Sequence, residues 1–88
     1  MIKTEQLYYL TQIAKYNSLT ATAKELYVNK STLSTAIAQL EKECGFEILE
    51  KTYRGVTFTP QGKLLLEQAE QILELMNEIY AICVYRKD

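Results

Sequence analysis

Ser18-Leu19-Thr20-Ala21-Thr22-Ala23-Lys24-Glu25-Leu26, a break at Tyr27-Val28, and then Asn29-Lys30-Ser31-Thr32-Leu33-Ser34-Thr35-Ala36-Ile37-Ala38-Gln39-Leu40 form the stretch that decides the fold. Ser18 or Thr20 can accept a hydrogen bond from the orphan amides of a helix start, and Ala23 and Leu26 then share one inward face. This predicts a helix of only about two turns. Asn29 suits the cap of the next helix. In it Leu33, Ile37, Leu40 and Cys44 step by four, three and four along one stripe until Gly45 stops it. That helix therefore has one buried face and one free face.

Upstream, Thr4 is a candidate cap for a helix from about Glu5 to Tyr16, with Leu7, Leu10, Ile13 and Ala14 at helical spacing and Asn17 as its left-handed end. Downstream the pattern changes. Phe46, Ile48 and Leu49 lead into Lys51-Thr52-Tyr53-Arg54-Gly55, and Val56-Thr57-Phe58-Thr59 alternates apolar and polar residues that favour strands. This predicts a small hairpin with Gly55 in its turn. Thr59-Pro60 is a restart signal, because proline at a first helical position loses no hydrogen bond. The helix it opens continues to about Tyr85, a rod of about 40 Å at 1.5 Å per residue.

These elements predict a mostly α chain: a winged helix-turn-helix of three helices plus a small β-hairpin wing, followed by a long dimerisation helix. The division falls at residues 1–59 for the winged domain and 60–88 for the linker and dimerisation helix. Two helices joined by a tight break, the second capped and polar on one face, place that second helix in the major groove of double-stranded DNA. Its outward residues near the amino end are Lys30, Ser31, Thr32, Ser34 and Thr35, small or flexible side chains able to reach base edges or phosphates. Lys51, Thr52 and Arg54 at the wing meet the backbone or the neighbouring minor groove, and Thr20 meets a phosphate at a helix start. Each residue also has a plainer reading. Ser and Thr gather at helix starts for capping alone, and a Lys-x-x-Arg turn is often a solvated loop. The order of the elements favours the DNA reading; whether Tyr53 stacks or packs stays open.

In the last helix Leu65, Ala69, Ile72, Met76, Ile79 and Cys83 step by four, three, four, three and four, a heptad seam that wants a partner helix. Leu66, Leu73 and Tyr80 recur every seven residues beside it, so one edge can pack on the domain and the other on a second subunit. A single broad stripe facing one core within a monomer remains the alternative.

The net charge of −1 over 88 residues argues against a nucleic-acid binder as an average, but the charge is segregated. Lys15, Lys24 and Lys30 stand against Glu25 alone from Lys15 to Thr35, and Lys51 and Arg54 face no acid from Lys51 to Thr59. Glu41, Glu43, Glu47 and Glu50 follow the stripe of the third helix and read as a solvated helix end rather than a metal site. A binding face for an anion must be local. Histidine is absent and no phosphate-binding glycine loop is present, which leaves a hydrolase or metal protein poorly supplied. No enzyme activity, cofactor or metal is expected. The two cysteines, Cys44 and Cys83, lack CxxC spacing and read as reduced packing residues. No apolar run approaches the roughly 18 residues of a membrane span, and no signal peptide opens the chain, so a cytoplasmic location is expected.

In order and spacing these residues resemble the amino-terminal region of LysR-type transcriptional regulators. The resemblance rests on Leu7, Tyr9-Leu10, the run Ser18 to Leu26 (similar to Ser-Phe-Thr-x-Ala-Ala-x-x-Leu), Leu33-Ser34, Ile37, Leu40-Glu41, Gly45, Glu50-Lys51-Thr52, Val56, Thr59 and Gly62. It implies a winged helix-turn-helix that dimerises through antiparallel linker helices and recognises an interrupted inverted repeat near promoters. It also implies DNA contacts at Thr20, Lys30, Ser31, Thr32, Ser34, Thr35, Lys51, Thr52 and Arg54. Asn29-Lys30 stands where the family commonly has Ser-Gln, Thr35-Ala36 where it has Arg-Gln, and Lys51 where it has a wing arginine. Losing an arginine removes a bidentate guanine contact, so base preference does not carry over. Family members continue into an effector-binding domain that these 88 residues lack, which points to a fragment or a truncated regulator; a small-molecule effector would act there. The rival reading is a winged-helix interaction module that pairs with other regulators without binding DNA.

Overall fold

Left-handed residues Asn17 (φ 54°) and Tyr27 (φ 56°) turn the chain between its first three helices. The structure, a computed structural model, describes residues 1–86. Helices α1 (Thr4–Tyr16), α2 (Leu19–Leu26) and α3 (Lys30–Cys44) are followed by strands β1 (Leu49–Thr52) and β2 (Gly55–Phe58) and by α4 (Pro60–Arg86). This is the mostly α winged helix-turn-helix that the sequence predicts. The last two residues of the 60–88 segment lie outside the described residues.

The helix starts differ in how they are closed. Thr4, the expected cap of α1, is instead its first residue; Lys3 holds the cap position and its N–H donates to Oε1 of buried Gln6 at 2.8 Å. The Gln6 carboxamide thus reaches back to the N–H of the cap residue itself, rather than a threonine hydroxyl accepting an amide of the first turn. Of the two candidates for α2, Ser18 is the cap, its Oγ accepting from the Ala21 N–H at 3.1 Å. Thr22 is fully buried behind it and stays satisfied by donating its hydroxyl to the Ser18 carbonyl at 2.7 Å. Asn29 occupies the cap position of α3, but its side chain makes no capping bond.

β1 and β2 pair antiparallel from Leu49↔Phe58 to Thr52↔Gly55, so the turn consists of Tyr53 and Arg54. Gly55, expected within the turn, is the first residue of β2. Its role is close approach: a Cβ there would lie 2.3 Å from the Asn17 carbonyl oxygen, at a φ of 133° that other residues avoid. The approach lets the Val56 N–H donate to that same Asn17 oxygen at 3.1 Å, pinning the hairpin to the α1–α2 corner.

α1 is the central element and touches α2, α3 and α4. The core joins Leu7, Leu10 and Ile13 of α1 to Ala23, Leu33, Ile37, Leu40, Ile48, Val56 and Ala69. Leu10, Ile13, Leu33, Leu40 and Ile48 are fully buried, and truncating any one to alanine costs about 2–5 kcal/mol. Thr59 locks the start of α4, as expected: its hydroxyl donates to the Glu47 carbonyl at 2.6 Å and accepts from the Gly62 N–H at 2.9 Å. α4 leaves the core after Ala69. The molecule measures 50 Å along its longest axis and only 20 Å along its shortest, with α4 lying beside α1 as far as half-buried Met76 and exposed from Asn77 to Val84.

Candidate nucleic-acid interface

Helical periodicity decides which residues of α3 are free. Leu33, Ile37 and Leu40 face the core, which turns Lys30, Ser31, Thr32, Ser34 and Thr35 outward, and all five are exposed. Thr20 in the first turn of α2 and Lys51, Thr52 and Arg54 on the wing are exposed as well. All nine residues read from the sequence therefore reach the surface.

Two grooves flank the α3 ridge. Ser34 shares one with Lys51 of the wing, together with Leu19, Ala38 and Val56, so the structure brings helix and wing candidates to one cleft. Ser31, Thr32 and Thr35 line the other, opposite Glu5 and Tyr9 of α1. Gln39 also lines it, one turn beyond Thr35; the sequence reading passed over it although the i+4 step was visible. Glu5 and Tyr9 could not have been found that way, since only packing brings α1 beside α3. Burial, and after it the nearby Glu5 carboxylate, pushes the Tyr9 phenol above its usual value, so it remains a neutral hydrogen-bonding group at the groove wall.

Glu41 is more than part of a solvated helix end. Its Oε2 accepts from the Ile48 N–H at 2.8 Å and the Leu49 N–H at 3.3 Å, tying the end of α3 to the first residues of the wing. The wing is thus braced at both strands, by Glu41 on one side and by Asn17 on the other. Glu43 pairs instead with the Met1 ammonium at 2.6 Å, and the hydrogen bond and charge of that group hold its carboxyl below the usual range. Among the described residues this is the only ion pair, which leaves Lys30, Lys51 and Arg54 available to an anion. Cys44 is half-buried, and burial raises its thiol pKa first, with Glu43 adding to it, the signature of a packing thiol rather than a reactive one.

The seam on α4 divides. Ala69 is 0% exposed, and Leu65 is partly buried against the same core. Met76 is half-buried in a groove with Tyr8, Thr11 and Gln12 of α1, where Leu73 joins it. Ile72, Ile79 and Cys83 are exposed. So are Leu75 and Ile82, which the sequence reading left out, and Ile72, Leu75, Ile79 and Ile82 step by three, four and three along one uncovered stripe. Of the six predicted seam residues, Ala69 is buried and Leu65 and Met76 are half-buried within the chain, while Ile72, Ile79 and Cys83 lie on the uncovered side. Among the described residues no helix is long and apolar enough to cross a membrane.

Residues 4–63 match the family described as bacterial regulatory helix-turn-helix protein, lysR family. The transcriptional regulator MetR of Escherichia coli is 32% identical over 83 residues, covering 94% of this chain and 26% of MetR. PtxR of Pseudomonas aeruginosa is 36% identical over 72 residues, covering 82% of this chain and 23% of PtxR. This chain thus spans about a quarter of the length of these curated relatives. Among solved structures, the CbnR DNA-binding domain in complex with DNA superposes with a TM-score of 0.86 at 29% identity, covering 98% of this chain and 99% of that one. A full-length OxyR variant from Pseudomonas aeruginosa gives a TM-score of 0.92 at 27% identity, covering all of this chain and 30% of its own. With the family match reaching from the start of α1 into α4 and the whole fold shared, the chain belongs to the lysR family of bacterial regulatory helix-turn-helix proteins.

Proposed function

We infer that residues 1–59 read promoter DNA for a sequence-specific transcriptional regulator and that residues 60–88 join two copies into a homodimer. α3 enters the major groove, the wing meets the backbone or adjacent minor groove, and the two-fold axis of the dimer matches an interrupted inverted repeat. The observation that carries this reading is the α3 ridge, with five exposed hydrogen-bonding residues at its amino end and a wing braced beside it. CbnR, a relative of the same fold, is solved in complex with DNA. The exposed stripe of Ile72, Leu75, Ile79 and Ile82 supports the dimer, in which two α4 helices lie side by side. Thr20, Lys51 and Thr52 position the domain on phosphates, Arg54 at the wing tip reaches the backbone or the adjacent minor groove, and Lys30, Ser31, Thr32, Ser34 and Thr35 face base edges or phosphates. The protein works in the cytoplasm, where promoter DNA is.

The deciding experiment measures binding of the purified chain to duplex DNA from its own promoter region across a salt series. A binder that displaces counterions loses affinity steeply as salt rises, and Lys30→Ala is expected to flatten the slope by about one unit per subunit. Salt-insensitive or absent binding at low ionic strength would leave the interaction module as the better reading. Thr35 provides a second check. It lies exposed where the family commonly carries arginine, so Thr35→Arg is expected to tighten binding to mixed-sequence DNA about three- to tenfold at low salt. Unchanged affinity would move position 35 off the DNA.

A further inference from the structure

The wing tip carries an aromatic residue that neither turn chemistry nor the core requires. Tyr53 is 92% exposed and lies outside the core, yet the Arg54 guanidinium carbon lies 5.3 Å from the centroid of its ring. Neither Tyr53 nor Arg54 has a positive φ, so the turn accepts most residue types and its backbone does not itself call for a tyrosine. The geometry points to Tyr53 as a positioning residue that holds Arg54 for a narrow, A·T-rich minor groove, and so sets the base preference beside the sequence read by α3. This rests on the DNA-reading function inferred above.

Three features support it. The tip is stiff: Thr52 Oγ1 accepts from the Arg54 N–H at 3.2 Å and donates to the Gly55 carbonyl at 3.4 Å. The hairpin beneath it is fixed to the body through Asn17 and Glu41, so the place of the tip relative to α3 is set before DNA arrives. Stacking on a ring face limits the rotamers of a long flexible side chain without neutralising it, which lowers the entropy lost on binding. Narrow A·T minor grooves concentrate negative potential, and a guanidinium held at the groove mouth responds to that width rather than to base edges. Lys51, paired with Val56 on the strand below, adds charge toward the flanking phosphates.

The test passes the full chain and its Tyr53→Ala, Tyr53→Leu, Tyr53→Phe and Arg54→Ala variants through selection from random-sequence duplexes. Affinities are then measured on duplexes that the unaltered chain enriches, with the wing-facing flank made either A·T or G·C. Arg54→Ala is expected to lose the preference for the A·T flank. Tyr53→Ala and Tyr53→Leu are expected to lose about two- to fivefold on the A·T flank and nothing on the G·C flank, a loss that unfolding would not confine to one duplex. Tyr53→Phe, which keeps the ring face, is expected to behave as the unaltered chain. Retained A·T preference in Tyr53→Ala overturns the proposal, as does a Tyr53→Phe variant as impaired as Tyr53→Ala, which would assign the effect to the hydroxyl. If the unaltered chain enriches no sequence, the DNA-reading function itself fails and takes the proposal with it.

Discussion

Gly62→Ala is expected to destabilise the domain by about 2–4 kcal/mol, lowering the thermal midpoint by roughly 10–25 °C. A Cβ at this position would lie 2.3 Å from the Ile48 carbonyl oxygen and 3.0 Å from both the Ile48 carbonyl carbon and Thr59 Oγ1. None of these atoms is free to move. The Ile48 oxygen already accepts the Thr59 N–H at 2.9 Å, and the Thr59 hydroxyl accepts from the Gly62 N–H while donating to Glu47. Relieving the clash means shifting the first turn of α4 away from the segment before the wing, which breaks hydrogen bonds worth about 1 kcal/mol each. Thermal and urea unfolding followed by circular dichroism read the effect. A midpoint within a couple of degrees of the unaltered chain would show that α4 is not docked as described.

Leu75→Glu combined with Ile79→Glu is expected to leave the fold intact, abolish the dimer and weaken binding to a two-half-site duplex by about 10²–10⁴-fold. Both residues are more than half exposed, Leu75 at 61% and Ile79 at 52%, so the chain itself loses little when they change. Two carboxylates on each helix would instead face two more across the pairing surface, where charges are desolvated and alike. On the proposed pairing, each half-site meets one subunit and α4 joins the two, so affinity for a single half-site is expected to stay unchanged. Light scattering or sedimentation gives the oligomeric state alongside the binding measurement. An unaltered chain that is monomeric at micromolar concentration, or a double variant that still dimerises, would remove the exposed stripe from the interface.

Much of the fold was legible in the sequence because local signals and core burial agreed. The Leu33, Ile37, Leu40 spacing orients α3 by itself, since turning that stripe inward leaves only one face for Lys30, Ser31, Thr32, Ser34 and Thr35. The Thr59 hydroxyl capping the Gly62 N–H and the left-handed turn at Asn17 likewise follow from chemistry among a few neighbouring residues, although both residues also bond to distant segments. The errors arose where distant segments meet. Gly55 is called for by its own positive φ at the end of the turn, but the sequence does not show that the Asn17 carbonyl, far away in the chain, also excludes a Cβ there. Glu41 resembles any solvated glutamate until the wing amides are seen to fall on it.

The long helix shows the same boundary most clearly. Its heptad repeat is a property of the sequence, and the repeat alone dictates an amphipathic rod longer than this small domain can cover. Which edge of the rod is covered is decided by the tertiary structure. The core takes Leu65 and Ala69, the groove beside α1 takes Leu73 and Met76, and Ile72, Leu75, Ile79 and Ile82 are left to the outside. A periodic pattern records how many apolar residues must be buried and at what spacing. The partner for each one is chosen by the angle at which the helix crosses the core, and that angle depends on contacts the linear pattern does not contain.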